Sequence, residues 1–231
     1  GYDYIRKVPG FFDGEFVVQD QSSCLAVKAA GINEGDLVVD VCAAPGGKTM
    51  YAAMLTGSEG HVISRDLIDK KTELIEENIE RLGLSNVTVQ VHDAREFDEE
   101  LTGKADVVIA DLPCSGLGIM GRKNDIKYHV SMESVKELAQ LQREILDTVC
   151  RYVKPGGTLV YSTCTIDSIE NDENAVWFAD THDFSLCGID DVVPEHGGER
   201  GFVTLHQGID ECDGFFISKF RADSNNQIGQ E

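Results

Sequence analysis

The sequence predicts an α/β protein whose sheet is mostly parallel. Three observations carry this. Short apolar runs alternate with amphipathic segments of helical period along the 231 residues. The apolar runs lead to side chains able to do chemistry: Asp40, Asp66, Asp93, Asp111 and Cys164. A glycine-bearing stretch, Asp40-Val-Cys-Ala-Ala-Pro-Gly-Gly-Lys-Thr49, stands between the first run and a helical segment. Strands alternating with helices build a parallel sheet through right-handed crossovers, which bring the strand ends to one edge. Five functional-looking side chains are therefore expected on one rim.

Taken in order, residues 1–20 carry Phe11, Phe12, Gly14 and Phe16 and read as short extended pieces. Gln19-Asp20-Gln21-Ser22-Ser23 reads as a turn into a helix through Ala30, capped by Ser22 or Ser23 and stopped by Gly31. Leu37-Val38-Val39 is the first strand, and Thr49 to Leu55 the first crossover helix. Val62-Ile63 opens a second strand ending near Asp66. The segment 67–82 follows as a helix, with Leu67, Leu74, Ile75, Ile79 and Leu82 on one face and Gly83 at its end. Val87, Val89 and Val91 alternate as a third strand closing at Asp93, and Val107 to Ala110 form a fourth, buried strand between Asp106 and Asp111. Leu112 to Val130 is irregular. A long helix covers 134–153, with Ser134 and Glu137 as a capping box. A turn at Lys154–Gly157, a fifth strand at Thr158–Tyr161 and a helix near Glu173–Ala179 come next. Phe202–Leu205 and Phe215–Phe220 read as a closing antiparallel pair.

Composition narrows the function classes. No apolar run reaches the ~18 residues a membrane span needs. Seven cysteines at irregular spacing, with no C-x-x-C pair, indicate neither a zinc site nor a disulfide framework, which suits a reducing cytoplasm. A net charge of −21 argues against non-specific grip on nucleic acid. The charge is uneven: no Lys or Arg occurs from Pro155 to Glu199, whereas Arg122, Lys123 and Lys127 cluster.

The order strand, glycine loop, helix places a nucleotide-like cofactor at the end of the first strand. Asp66 lies where an acid grips a ribose hydroxyl pair, and Asp93 is placed to accept from an adenine amino group. The loop Cys42, Ala43, Ala44, Pro45, Gly46, Gly47 lacks the G-x-G-x-x-G of dinucleotide sites. Gly47-Lys48-Thr49 matches the end of a P-loop, but Cys42 takes the position of its first glycine. S-adenosylmethionine, which has no phosphates, needs only a snug glycine turn and these two acceptors. Nucleotidase chemistry is the rival that the loop alone leaves open.

Further motifs are Asp111-Leu-Pro-Cys-Ser-Gly116, Ser162-Thr-Cys-Thr165 with Glu170-Asn171, and Asp213-Gly-Phe-Phe216. Together with Gln19–Ser23, the glycine loop, Asp66 and Asp93, they resemble the catalytic domain of the Sun/Fmu/RsmB family of RNA 5-methylcytosine methyltransferases, from about Gly14 to Arg221. The chain departs from that pattern at Asn124, where the family has Pro, and near Leu205-His206, where a proline is absent. The resemblance implies a Rossmann-like class I S-adenosylmethionine-dependent methyltransferase fold, with a mostly parallel seven-stranded sheet and a final antiparallel strand. Residues 1–34 are expected to pack on a catalytic domain of 35–221, with 222–231 a flexible tail. The cofactor set is then Cys42 to Lys48, Asp66, Asp93 and Asp111.

Carbon-5 of cytosine is too weak a nucleophile to take a methyl group unaided. A thiolate added at carbon-6 makes it enamine-like, which splits one hard step into easier ones. Cys114 and Cys164 both follow strands and both suit this chemistry. DNA enzymes use the Pro-Cys motif, which selects Cys114. The RNA family resembled here uses the Thr-Cys motif, which selects Cys164. Cys164 is accordingly the expected nucleophile, Cys114 assists proton removal or product release, Asp111 serves ring nitrogen 3, and Lys48 faces the target base or Asp111. Arg122, Lys123 and Lys127 are the expected phosphate contacts. The substrate implied is ribosomal RNA, with transfer RNA as the alternative and a non-catalytic RNA- or partner-binding scaffold as the reading of another class. A cytoplasmic monomer is expected. A basic N-terminal RNA-binding domain outside this sequence, of the kind the resembled family often carries, would reconcile the acidic charge with an RNA substrate.

Overall fold

The computed structural model describes residues 4–193 and 198–224. Its eight strands form one sheet in the order β3-β2-β1-β4-β5-β8-β6, with β7 also on β8. They are β1 (Leu37–Asp40), β2 (His61–Asp66), β3 (Val87–Val91), β4 (Ala105–Asp111), β5 (Val153–Thr163), β6 (Phe184–Leu186), β7 (Phe202–Leu205) and β8 (Phe215–Ala222). The first five are parallel, and β8 runs antiparallel beside β5. β6 pairs with Phe220–Ala222 and β7 with Phe215–Ser218, so the two lie end to end along the outer edge of β8. The sheet thus has seven strand positions, the last filled by two short pieces. β8 runs through Ala222, into the stretch expected as tail; residues 225–231 of that expected tail lie outside the described residues.

Period-two alternation decides which face each residue joins. Val38, Val107 and Ile109 pack with Ala26, Val27, Ala52 and Ala53 on one face. Their neighbours Val39, Val108 and Ala110 pack with Leu146, Tyr152, Phe178 and Phe220 on the other. The first face is covered by α1 (Gln21–Ala30) and α2 (Gly47–Thr56), the second by α5 (Met132–Val149) and α6 (Asp172–Thr181). Burying a side chain such as Phe178 contributes roughly 1.5–3 kcal/mol.

Several local expectations shift. The N-cap of α1 is Asp20, whose carboxylate accepts from Ser22 N at 3.1 Å; Ser22 itself is inside the helix. Gly31 does end it, at φ 67°. Residues 8–14 run as successive turns after a 3₁₀ turn at Ile5–Lys7, and are not extended. α3 (Asp69–Leu82) starts after Leu67, which is 58% exposed, and Leu74 is 43% exposed. Of the five residues placed on one face, only Ile75 is fully buried, because edge strand β3 offers little surface to cover. α5 begins at Met132, where Ser131 and Ser134 cap each other's backbone; Glu137 has no part in it. Between these helices lies the single turn α4 (Ile126–His129). The expected turn at Lys154–Gly157 is absorbed into β5 as an irregularity opposite Ala105 and Val107, with Gly156 at φ 72°. β6 has no counterpart in the sequence reading.

Candidate active site

The C-terminal ends of the parallel strands form one rim, as the alternation predicts. Asp40, Asp66 and Asp111 are the last residues of β1, β2 and β4, and Cys164 directly follows β5. The glycine loop is pinned on both sides: Val41 N donates to Ile109 O at 3.1 Å and Ala43 N to Arg65 O at 2.8 Å. Gly46 sits at φ 99°, a left-handed conformation, with Ile75 directly behind it. The Ala44–Pro45 peptide is cis. Asp66 accepts from Ala44 N at 3.1 Å and Ile68 N at 3.2 Å, so its carboxylate also shapes the loop.

A cavity of about 220 Å³ opens beside this loop. It is lined by Val18, Gln19, Asp20 and Ser23 from the N-terminal segment, by Asp40, Cys42 to Pro45, Gly47 and Lys48, and by Asp111. Two buried polar atoms in its lining have no hydrogen-bond partner: Gln19 Nε2, a donor, and Asp40 Oδ1, an acceptor. Thr49 Oγ1 donates to the other oxygen of Asp40 at 2.7 Å. Burial raises the Asp40 carboxyl to about 7. The charged lining comprises three acids, Asp20, Asp40 and Asp111, against one base, Lys48. A polyphosphate would meet like charge there, so the P-loop alternative fails on electrostatics. A cofactor without phosphates, carrying a sulfonium and an amino-acid end, fits both the acidic lining and the unpartnered donor and acceptor.

Asp93 stands at the strand end expected, yet its carboxylate is taken by Arg95. Nε donates at 3.0 Å, a terminal nitrogen at 2.6 Å and the Arg95 backbone N at 3.0 Å. These bonds hold it below the usual carboxylate range. Neither Asp93 nor Asp66 lines the cavity. Cys42 does, and burial pushes its thiol far up, which makes it inert packing.

Lys48 Nζ lies 2.6 Å from Asp111 Oδ2 and 3.3 Å from Ser23 Oγ, with the Phe215 ring 5.3 Å away. The second oxygen of Asp111 accepts from Ser162 Oγ at 2.8 Å. Across the rim, Cys114 Sγ and Cys164 Sγ are free thiols 3.3 Å apart. The hydrogen bond from Cys114 lowers the Cys164 thiol, and the Lys48 ammonium adds to this against burial and Asp111. The same bond, together with burial, pushes Cys114 well up. Cys164 is thus the more acidic thiol of the pair, with Cys114 as its hydrogen-bonding neighbour.

The loops carrying the two cysteines are tied together. Gly118 N donates to Cys164 O at 3.0 Å, and Gly214 N donates to Gly118 O at 2.9 Å. A Cβ on Gly118 would fall 2.0 Å from Gly214 O, so only glycine permits this approach. Asn171 accepts from Thr163 Oγ1 at 2.6 Å and donates to Thr165 O at 3.0 Å, bracketing Cys164. The basic trio divides. Arg122 is exposed, but its guanidinium is shared by Asp20 at 2.7 Å and Asp213 at 3.0 Å. Lys123 is exposed, and Lys127 lies over the Tyr128 ring at 4.9 Å. Sequence reasoning put Asp40 on the rim without giving it to the cofactor. It missed Gln19, Asp20 and Ser23 as lining residues and the capture of Arg122 and Asp93. The one available signal was Asp40, a carboxylate closing a strand that must be buried.

The family described as 16S rRNA methyltransferase RsmB/F matches residues 28–221. The probable ribosomal RNA small subunit methyltransferase B of Bacillus subtilis is 42% identical over 220 residues, covering 91% of this chain and 48% of that protein. The ribosomal RNA small subunit methyltransferase F of Escherichia coli is 35% identical over 215 residues, covering 90% and 45%. Among solved structures, NSun6 from Pyrococcus horikoshii with SFG superposes with a TM-score of 0.81 at 29% identity, covering 94% of this chain and 56% of that one. The chain spans about half the length of the curated relatives it matches. Among the described residues no helix is long and apolar enough to cross a membrane.

Proposed function

The chain belongs to the RsmB/F family of 16S rRNA methyltransferases, with a Rossmann-like class I fold, and from that premise we propose that it methylates carbon-5 of a cytosine in RNA, with small-subunit ribosomal RNA as substrate. The observation that carries this reading is the thiol pair, Cys114 and Cys164 at 3.3 Å, on the same rim as the Lys48–Asp111 pair. When bound, S-adenosylmethionine supplies an electrophilic methyl group. The loop from Cys42 to Gly47 with the unpartnered Gln19 and Asp40 would hold it, and Asp66, bound to Ala44 N, would keep that loop in shape and offer an acceptor at its edge. Asp93 would serve the adenine amino group only in exchange for its bonds to the Arg95 side chain.

Cys164 Sγ forms a bond to carbon-6 of the cytosine, and the displaced ring electrons move towards nitrogen 3. Asp111 faces that nitrogen, and Lys48, 2.6 Å from Asp111, is the proton source for the pair. Carbon-5 then takes the methyl group as that group's bond to the cofactor sulfur breaks, and nitrogen 3 returns its proton to the Lys48–Asp111 pair. Cys114, having first given its own proton to solvent, takes the carbon-5 proton as a thiolate. Those electrons reform the ring double bond and expel Cys164.

Lys123 and Lys127 are the phosphate contacts among the basic trio. The protein acts as a cytoplasmic monomer. Transfer of labelled methyl groups to unmodified small-subunit ribosomal RNA tests the reading. Cys164→Ala abolishes transfer, and Cys114→Ala leaves a denaturant-resistant RNA–protein adduct. Full transfer by Cys164→Ala, or methylation of transfer RNA alone, overturns the corresponding part.

A further inference from the structure

Glu170 is fully buried, and no step above uses it. Its carboxylate accepts from Ser115 N at 2.9 Å, from Ser115 Oγ and from Gln142 Nε2 at 3.1 Å. Ser115 Oγ is also 2.8 Å from Thr165 Oγ1, and Gln142 Nε2 donates to Pro113 O at 2.9 Å. Both chain neighbours of Cys114, Pro113 and Ser115, are thus referred to this one carboxylate. So is Thr165, the residue after Cys164. The Glu170 backbone carbonyl accepts from the Tyr161 hydroxyl, which fixes it to β5, the strand that delivers Cys164.

A buried carboxylate is a poor source of stability. Burial raises its pKa, and well-packed apolar residues often serve the fold as well or better. What an acceptor-only group offers here is geometry. It receives three donors from two segments and so fixes where those segments stand relative to each other.

We propose that Glu170 is a positioning residue that sets Cys114 at its working distance from Cys164, and thereby governs elimination of the covalent intermediate. The proposal rests on the two-cysteine reading above. Replacing the carboxylate by an amide removes one acceptor oxygen. An NH₂ facing Ser115 N and Gln142 Nε2 meets two donors, and one facing Ser115 Oγ forces that hydroxyl to turn round and accept, which breaks the bond it donates to the carboxylate. The Cys114 loop is then displaced, while the cofactor cavity on the other side of Asp111 keeps its lining. A misplacement of about 1 Å costs up to ~100-fold in rate.

The test compares wild type, Glu170→Gln, Ser115→Ala and Cys114→Ala on an unmodified small-subunit ribosomal RNA transcript. Turnover, S-adenosylmethionine affinity by calorimetry and the denaturant-resistant adduct are measured in each. Glu170→Gln is expected to lose roughly 10- to 100-fold in turnover. Cofactor affinity should stay within about twofold, and adduct should accumulate as in Cys114→Ala. Ser115→Ala, which removes only the hydroxyl bridge, should show the same phenotype more weakly, and it keeps the proposal testable if Glu170→Gln fails to fold. Normal turnover in Glu170→Gln, or lost turnover without adduct while Cys114→Ala accumulates it, overturns the role of Glu170. Absence of adduct in Cys114→Ala overturns the two-cysteine reading, and this role with it.

Discussion

Asp40 and Cys164 show how one environment moves two acids in opposite directions. Asp40 has no exposure, its Oδ1 lacks a partner, and burial raises its carboxyl from the ordinary 3.8 to about 7. Between those pH values the folded protein holds a proton that the unfolded chain has released, so stability falls as pH rises through the window. Asp40→Asn keeps an acceptor for Thr49 and cannot ionise. Melting curves from pH 4 to 8 should show the wild type losing stability relative to Asp40→Asn, and parallel curves would refute the shift. Cys164 moves down because a neighbouring thiol donates to it. Removing that donor in Cys114→Ala should move the pH profile of Cys164 alkylation by iodoacetamide upward. An unmoved profile would mean that Lys48 alone sets its reactivity.

Elements show which parts of the fold were legible in sequence. Val38 and Val39 face opposite layers, so the short apolar run they belong to reads as a strand covered on both faces, whereas the order of the strands across the sheet is set only by the folded pairing. Caps were harder to place. Asp20, Ser22 and Ser23 all suit an N-cap, and the choice falls to the one whose side chain meets a free backbone N–H. β6 carries no turn signal, and it becomes a strand because Phe184–Leu186 lands on the free edge of β8. The rim was readable because each parallel strand brings its last residue to one edge. Glu170 was visible as part of a motif but not as a brace, since Ser115 and Gln142 meet it only after folding. Glycines separate two kinds of constraint. Gly83 has nothing within 4 Å but φ +66°, so Gly83→Ala should cost only ~1–2 kcal/mol of backbone strain. Gly118→Ala drives a methyl into the Gly214 carbonyl, and both the 1–3 kcal/mol of overpacking and the displaced cysteine loop follow. Urea titration with a methyl-transfer assay separates them: Gly83→Ala should keep activity, whereas Gly118→Ala should lose it along with stability.

At the scale of the whole molecule, charge decides how RNA is met. A chain of net charge −21 repels phosphate over most of its surface, so each free cation near the rim matters. Arg122 is not free, being neutralised by Asp20 and Asp213 from segments far apart in sequence. Sequence proximity grouped it with Lys123 and Lys127, because neither carboxylate partner can be seen before the chain folds. Releasing a counterion requires a cation that phosphate can claim. Lys123→Ala should therefore reduce the salt slope of RNA binding by about 0.7–0.9. Arg122→Ala should leave that slope nearly unchanged, and equal losses in the two variants would show that RNA displaces both carboxylates. The reciprocal bonds around Gly118 bear on motion. Cys164 O, Gly118 and Gly214 form one chain of main-chain contacts, with no side chain between the two glycines to act as a hinge. Separation of the loops that carry Cys114 and Cys164 is then a single concerted excursion that takes the Gly214 loop with it. The Gly118 and Gly214 amides should exchange with deuterium at one shared rate, set by that joint opening and slowed together when RNA is bound.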